Sequence, residues 1–294
     1  MQKTKSKLSF KIGALNCHGA EDKVDLPEMI ELVQSCDIFG VNETWLSKGQ
    51  KIEVPDYEYF PLNRTTKKGP VRGGLGIFIK DSLKDNIKVR YDLSCENFLF
   101  CKLKKNFFGY HEDVFVGIIY IPPEDSTRET KLNIDHFTHL QEVTSTIDSD
   151  NIILLGDFNS RTGTMDDVLL AEKHQDQPHF DFYSNMESYR SNQDNFVNAY
   201  GKKLVDYCSA TRSYIANGRT IGDLQGKLTC HQSKGSSTVD YAIINECMYH
   251  HVQSFQVLDP YLGSDHSPII LKILLPICNF PENTPKMTKI DKIR

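Results

Sequence analysis

Short apolar runs separated by polar stretches organise this chain, and their length and period distinguish strands from helices. Residues 9–15 and 38–41 read as strands, with an amphipathic helix over 26–36 between them. Such a β-α-β opening predicts an α/β layered domain. Further strand-like runs fall at 74–80, 87–90, 98–103 and 114–120, several of them too close together to admit a helix. Sheets built this way are mixed rather than purely parallel. A polar helix near 128–147 leads into a strand at 151–156, and 199–210 reads as a helix, with strands at 239–244, 255–258 and 269–275. Between them, residues 160–197 are rich in Asp, Asn, His, Gln and Ser, which predicts a long irregular excursion of the kind that often carries function. The pattern predicts an α/β (α+β) fold, two mixed sheets packed face to face with helices outside.

Composition narrows this picture only slightly. A chain of 294 residues with 39% apolar and 25% charged positions can bury a large core as one domain. Residues 1–8 read as a flexible start and 277–294 as a polar tail or linker stub, leaving 9–276 as the domain. No run of about 18 uncharged apolar residues exists, so no membrane span is expected, and no signal-type apolar segment opens the chain. Its 8 cysteines are dispersed, as befits reduced thiols inside a cell. A zinc cluster of Cys208, Cys230, His231, Cys247 and His250 fits no usual ligand spacing. The net charge of −5 argues against a protein that coats nucleic acid, yet not against one whose carboxylates hold cations.

Candidate chemistry lies where the apolar runs stop. The first ends at Asn16 and the second in Asn42-Glu43-Thr44-Trp45; later ones end at Tyr120 and in Gly156-Asp157-Phe158-Asn159. Asp240 and the segment Ser264-Asp265-His266-Ser267-Pro268 open two more. Taken singly, Asp157-Phe158-Asn159 is a turn signal, Glu43 a solvated carboxylate and Asp240 a cap or ion-pair residue. Taken as an ordered set delivered to strand ends, carboxylates, amides and one imidazole suit metal-assisted phosphodiester chemistry.

That ordered set resembles the endonuclease/exonuclease/phosphatase superfamily over residues 9 to 275, and implies its four-layer sandwich of two packed mixed β-sheets flanked by helices. Its wording, with Gly73-Gly74-Leu75-Gly76-Ile77-Phe78 and Gly156 to Gly163, looks most like the endonuclease domains of non-LTR retrotransposons. The resemblance implies that Glu43 is the principal ligand of Mg²⁺ or Mn²⁺, with Asn16, Asp265, Asp157 and Asn159 close by. Asp157 would activate water and Asn159 position it, while Asp240 would orient His266 toward the phosphate and Tyr120 would donate to a phosphate oxygen. It further implies a DNA nick with 3′-hydroxyl and 5′-phosphate ends, a reverse transcriptase domain encoded with the same element, and a nuclear location.

The chain departs from abasic-site enzymes at His18, where those carry an acid. The loop holding Arg64, Lys67, Lys68 and Arg72 and the cluster Lys102, Lys104, Lys105 are candidates for phosphate contact, and equally for solvated hairpin tips. Residues 230–236 look like a hairpin tip, and Thr229, His231, Lys234 and Ser264 are candidates for touching the polynucleotide. Two other readings remain open here: a phosphoesterase acting on a small molecule such as an inositol phosphate, and a silent binding module.

Overall fold

The computed structural model describes residues 9–20, 23, 26–64, 71–124, 126, 135–167, 186–187, 189–260 and 263–276. The expected flexible start and polar tail lie outside these residues, as do Lys67, Lys68 and the first part of the polar helix.

One six-stranded sheet contains β1 (Ser9–Asn16), β2 (Ile38–Asn42), β3 (Tyr57–Leu62) and β4 (Leu75–Lys80), together with β13 (Val252–Val257) and β14 (Ile269–Leu274). The second, also six-stranded, contains β5 (Ile87–Val89), β6 (Phe98–Leu103), β7 (Val114–Tyr120), β8 (Ile152–Asp157), β9 (Ser213–Ile215) and β12 (Asp240–Asn245). Strands β10 (Cys230–Gln232) and β11 (Gly235–Ser237) form a separate hairpin. The helices are α1 (Pro27–Gln34), the short α2 (Lys105–Phe108), α3 (His136–Ser145) and α4 (Ala199–Ala210).

The orders are β13-β14-β1-β2-β4-β3 and β5-β6-β7-β8-β12-β9. Each sheet has one parallel pair at its centre, β1 with β2 and β7 with β8, flanked by antiparallel strands. The mixed sheets follow from this: each central pair is joined through a longer crossover carrying α1 or α3, as parallel strands require, whereas the antiparallel neighbours β6 and β7 are linked by a short connection holding only α2.

Side-chain alternation builds the layers. Ile12 and Ala14 of β1, Ile77 of β4, Val116 and Ile118 of β7 and Ile153 and Leu155 of β8 fill the space between the sheets. Phe39 and Val41 face outward onto Met29 and Val33 of α1, while Ile119 and Leu154 face Phe137 and Leu140 of α3 and Leu204 of α4. This is the four-layer arrangement of helix, sheet, sheet and helix. Helix starts are locally encoded: Asp135 accepts from the amides of Phe137 and Thr138, Asn198 accepts from that of Gly201, and Pro27 opens α1.

Strands β3 and β9 escaped the sequence pattern. Both are edge strands, β3 carries Pro61, which an edge tolerates, and β9 is three residues long. Strand β13 begins three residues before the expected 255 because an irregularity between Val252 and Ser254 breaks its alternation. In the 160–197 excursion, the described residues form no helix or named strand, but they are anchored. Arg161 grips Asp194 through two bonds of 2.7 and 2.6 Å, and Thr162 bridges Val197.

Candidate active site

The two parallel pairs point the same way, so the C-terminal ends of β1, β2, β7 and β8 and the start of β12 meet at one rim. Two amides stitch that rim across the sheets. Asn42 Nδ2 donates to the Ile119 carbonyl, and Asn16 Nδ2 donates to Asp157 Oδ2 at 2.9 Å and to Glu43 Oε1 at 3.1 Å. Asp157 and Asp240 are register partners on neighbouring antiparallel strands, which brings two buried carboxylates side by side. Gly156 is required there: at φ +138° a Cβ would stand 2.1 Å from the Ile119 carbonyl oxygen.

Asp157 takes Asn159 N–H on Oδ1 at 2.8 Å and Asn159 Nδ2 on Oδ2 at 3.0 Å; the same Nδ2 donates to the Ile121 carbonyl. Complete burial, with Asp240 adding to it, raises the Asp157 carboxyl to about 8. Asp240 Oδ2 lies 2.8 Å from His266 Nδ1. Burial alone would push the imidazolium down, but the adjoining Asp240 carboxylate overrides it and holds the His266 pKa well above its ordinary value. Tyr120 is hydrogen-bonded to Glu43, and burial together with the Glu43 and Asp157 charges keeps its hydroxyl protonated.

Glu43 Oε2 accepts from Trp45 Nε1 at 3.2 Å. Ser264 Oγ donates to the Asn16 carbonyl at 2.6 Å and accepts the His266 amide, fixing the Asp265-His266 turn against β1. Asp265 Oδ2 accepts from Gln232 Nε2, while its Oδ1 is buried without a hydrogen bond; His18 Nδ1 stands 3.3 Å from it without the alignment of one. His18, Glu43, Trp45 and Asn159 all hold positive φ, between 45° and 55°. Such conformations are costly for side-chain-bearing residues and collect where geometry is imposed for function.

A hard divalent cation fits this rim. Glu43, Asn16 and Asp265 present oxygen donors, and the buried Asp265 Oδ1 accepts no hydrogen bond, which leaves its lone pairs open to a cation. The eight residues expected to carry chemistry, Asn16, Glu43, Tyr120, Asp157, Asn159, Asp240, Asp265 and His266, are all at this rim.

The residues expected at a polynucleotide divide. Arg72 is exposed with its guanidinium 3.9 Å over the Trp45 ring, and Lys234 is exposed at the tip of the β10–β11 hairpin. His231 is half-buried, its Nε2 3.1 Å from Ser267 Oγ. Thr229 turns fully inward, and its Oγ1 accepts the amides of Val239 and Asp240 at 3.0 Å each. Arg64 is buried beneath Tyr120, its Nη2 donating to Asn97 Oδ1. Lys102, Lys104 and Lys105 lie at the opposite end of β6, because Phe98 pairs with Ile119 near the rim and Leu103 with Val114 away from it.

Sequence reading did not single out Asn42, the amide between the sheets, and it met Cys230 only in the drawn zinc cluster and the hairpin tip, whereas its Sγ lies against the His266 ring. The zinc cluster does not assemble, since Cys208 lies on the buried face of α4, Cys230 sits at the rim and Cys247 is exposed.

Comparison with known proteins agrees with the geometry. Residues 114–270 match the family model described as endonuclease-reverse transcriptase. The endonuclease domain of TRAS1, a telomere-specific non-LTR retrotransposon, is similar at 13% identity and TM-score 0.60, covering 91% of this chain and 99% of that one. A 3′ phosphatase from Neisseria, bound to product DNA hairpin, is similar at 15% identity and TM-score 0.60 over 90% and 99% of the two chains. An AP endonuclease from Leishmania major gives 13% identity and TM-score 0.64 over 91% and 88%. No curated protein sequence matches the chain significantly. Among the described residues, no helix is long and apolar enough to cross a membrane.

Proposed function

This chain belongs to the endonuclease-reverse transcriptase family, within the endonuclease/exonuclease/phosphatase superfamily, and we propose that it is a divalent-metal-dependent DNA endonuclease. It nicks one strand and leaves a 3′-hydroxyl and a 5′-phosphate. The observation that carries this reading is the convergence of Asp157, Asp240 and His266, two carboxylates and one imidazole buried together beside Asn16 and Glu43. Asp157 and His266 both bind protons more tightly than the free groups do, a perturbation of the kind that gathers at proton-transfer sites.

Asp157, with its raised proton affinity, takes the proton of the attacking water, and the Asn159 amide that it anchors orients that water. His266, kept cationic and pointed by Asp240, faces the phosphate charge that grows in the transition state. Tyr120 remains a neutral donor, suited to a phosphate oxygen or the departing oxygen. Glu43, Asn16 and Asp265 would hold Mg²⁺ or Mn²⁺, which supplies electrostatic stabilisation of the phosphate and leaving group when bound. The Arg72–Trp45 stack and the exposed Lys234 flank the rim and are assigned to the DNA backbone.

The similarity to a retrotransposon endonuclease domain supports an extension of this proposal, in which the 3′-hydroxyl would prime a reverse transcriptase encoded with the same element and the protein would work in the nucleus. The test is relaxation of supercoiled plasmid in Mg²⁺, followed by sealing with DNA ligase, which requires the proposed ends. Wild type nicks, whereas Asp157→Ala, Glu43→Ala and His266→Ala each lose at least about a hundredfold in rate. Hydrolysis of inositol phosphates with plasmid left intact would overturn the assignment.

A further inference from the structure

A sulfur stands where the proposed reaction has no use for one. Cys230 opens β10 and pairs with His266 in an isolated antiparallel bridge, while the His231 amide donates to the Asp265 carbonyl at 2.7 Å. Cross-strand partners project to one face, and here that places the Cys230 thiol against the His266 ring. Cys230 Sγ, a carboxylate oxygen of Asp265 and a ring nitrogen of His266 all lie within 4.8 Å of one another. Cys230 is only 5% exposed, so it is held in place rather than free to swing.

Three further features distinguish this from a packed thiol. Asp265 Oδ1 is buried and accepts no aligned hydrogen bond, its one charged neighbour being the half-exposed His18 Nδ1 at 3.3 Å. The imidazole is backed by the Asp240 carboxylate at 2.8 Å, the arrangement that orients histidines on metals. Finally, the donors are one sulfur, one nitrogen and one oxygen, a set that favours Zn²⁺ and its borderline-soft relatives over Mg²⁺, with the fourth tetrahedral position left for water.

We propose that Cys230, Asp265 and His266 form a second, inhibitory cation site that captures Zn²⁺ and thereby withdraws His266 and Asp265 from phosphodiester cleavage. Binding exchanges two protons for the cation, that of the thiol and the one on the His266 ring nitrogen not bonded to Asp240, and releases both to solvent. The inhibitory consequence rests on the nuclease reading, whereas the binding itself does not. The site would make the enzyme sensitive to free zinc at concentrations that leave its Mg²⁺ chemistry otherwise untouched, and no oxidant is needed.

Co²⁺ is the probe, because thiolate ligation gives it a near-ultraviolet charge-transfer band and tetrahedral geometry gives intense visible bands. The full chain, freed of metal and kept reduced, should develop both with one equivalent of Co²⁺ and lose them when Zn²⁺ is added. Cys230→Ser should abolish the charge-transfer band, and Cys247→Ser, removing the exposed thiol, should keep it. In plasmid nicking with excess Mg²⁺, Cys230→Ser should raise the Zn²⁺ concentration for half inhibition by about tenfold or more. A band that survives in Cys230→Ser, or wild type without a band, overturns the site. Thermal melting checks that the variant is folded, and Cys230→Ala replaces it if it is not. A protein that shows the band but nicks nothing retains the site and refutes the nuclease reading instead.

Discussion

Two clusters of buried charge in this molecule are built on opposite principles. Beside the edge strand β9, Asp167 and Arg219 form an ion pair at 2.5 Å with both side chains essentially inaccessible. The second carboxylate oxygen of Asp167 takes the Ile215 amide at 2.7 Å, so one acid meets one base and each of its oxygens is engaged. At the rim, Asp157, Asp240 and His266 set two acids against one imidazole, and the shortfall appears as raised proton affinity at Asp157 and His266. Equal burial thus yields a clamp in one place and a reactive centre in the other. What separates them is charge balance, since an imbalance buried away from water is costly and persists only where the surrounding fold enforces it.

The largest effect should come from breaking the balanced pair. Asp167→Ala leaves the Arg219 guanidinium buried and unpaired, and should lower unfolding free energy by about 3–5 kcal/mol in a denaturant titration. The double change Asp167→Leu with Arg219→Met should cost far less, because it removes both charges together. Nicking per folded molecule should be unaffected in either. A single change that cost under about 1 kcal/mol would erase the contrast.

The rim should answer in the opposite sense. Asp157→Asn removes a carboxylate that is crowded by Asp240, so in the absence of divalent metal its melting temperature should match or exceed that of wild type, while nicking falls by at least about a hundredfold. The sign follows from proton linkage. Asp157 and His266 both bind protons more tightly in the folded state than in the unfolded one, so the folded protein carries more protons between pH 6.5 and about 8. Stability therefore falls as pH rises through that window. In metal-free protein, melting temperature should decline across it, and Asp157→Asn should flatten the slope. A rising melting temperature would mean that the trio is already balanced.

The contrast also explains what could be read without a structure. Each residue of the rim ends or opens an apolar run, so period-two alternation located Asp157, Tyr120 and Asp240 as soon as it located their strands. Asp265-His266, with the serines around it, stood out in the same way before Ile269. The clamp left no such mark: Asp167 and Arg219 lie in polar loops, 52 residues apart, and nothing local indicates that they meet. Asn42 was hidden for a related reason, because its partner is the Ile119 carbonyl of the other sheet, and a backbone acceptor carries no sequence signature. Thr229 and Arg64 show the limit from the other side, as polar residues near a site that the fold turns inward to hold Asp240 and to underlie Tyr120.

Thr229 provides an intermediate test of how far the rim depends on its supports. Thr229→Val keeps the shape but removes the oxygen that accepts the Val239 and Asp240 amides, leaving two buried donors unpaired. The expected loss is about 1–3 kcal/mol of stability, accompanied by a slower nicking rate as Asp240 loosens behind His266. A rate unchanged at full folding would show that Asp240 is positioned by its strand alone.

The smallest effect belongs to the exposed charge at the hairpin tip. Lys234 has no counterpart in either buried cluster; it is solvated, and as a single phosphate contact it should contribute attraction without sequence discrimination. Lys234→Ala should weaken DNA binding uniformly across sequences and lower the slope of log affinity against log salt by about one. Replacing the whole tip, residues 232–235, with Gly and Ser is a different perturbation, because it also removes the Gln232 amide from Asp265. That exchange should shift cleavage-site preference on a defined DNA while the rate on bulk plasmid remains similar. If preference stayed fixed while the salt slope still fell, the hairpin would serve as an electrostatic handle, and selection of the target would have to reside in the Arg72–Trp45 stack on the other side of the rim.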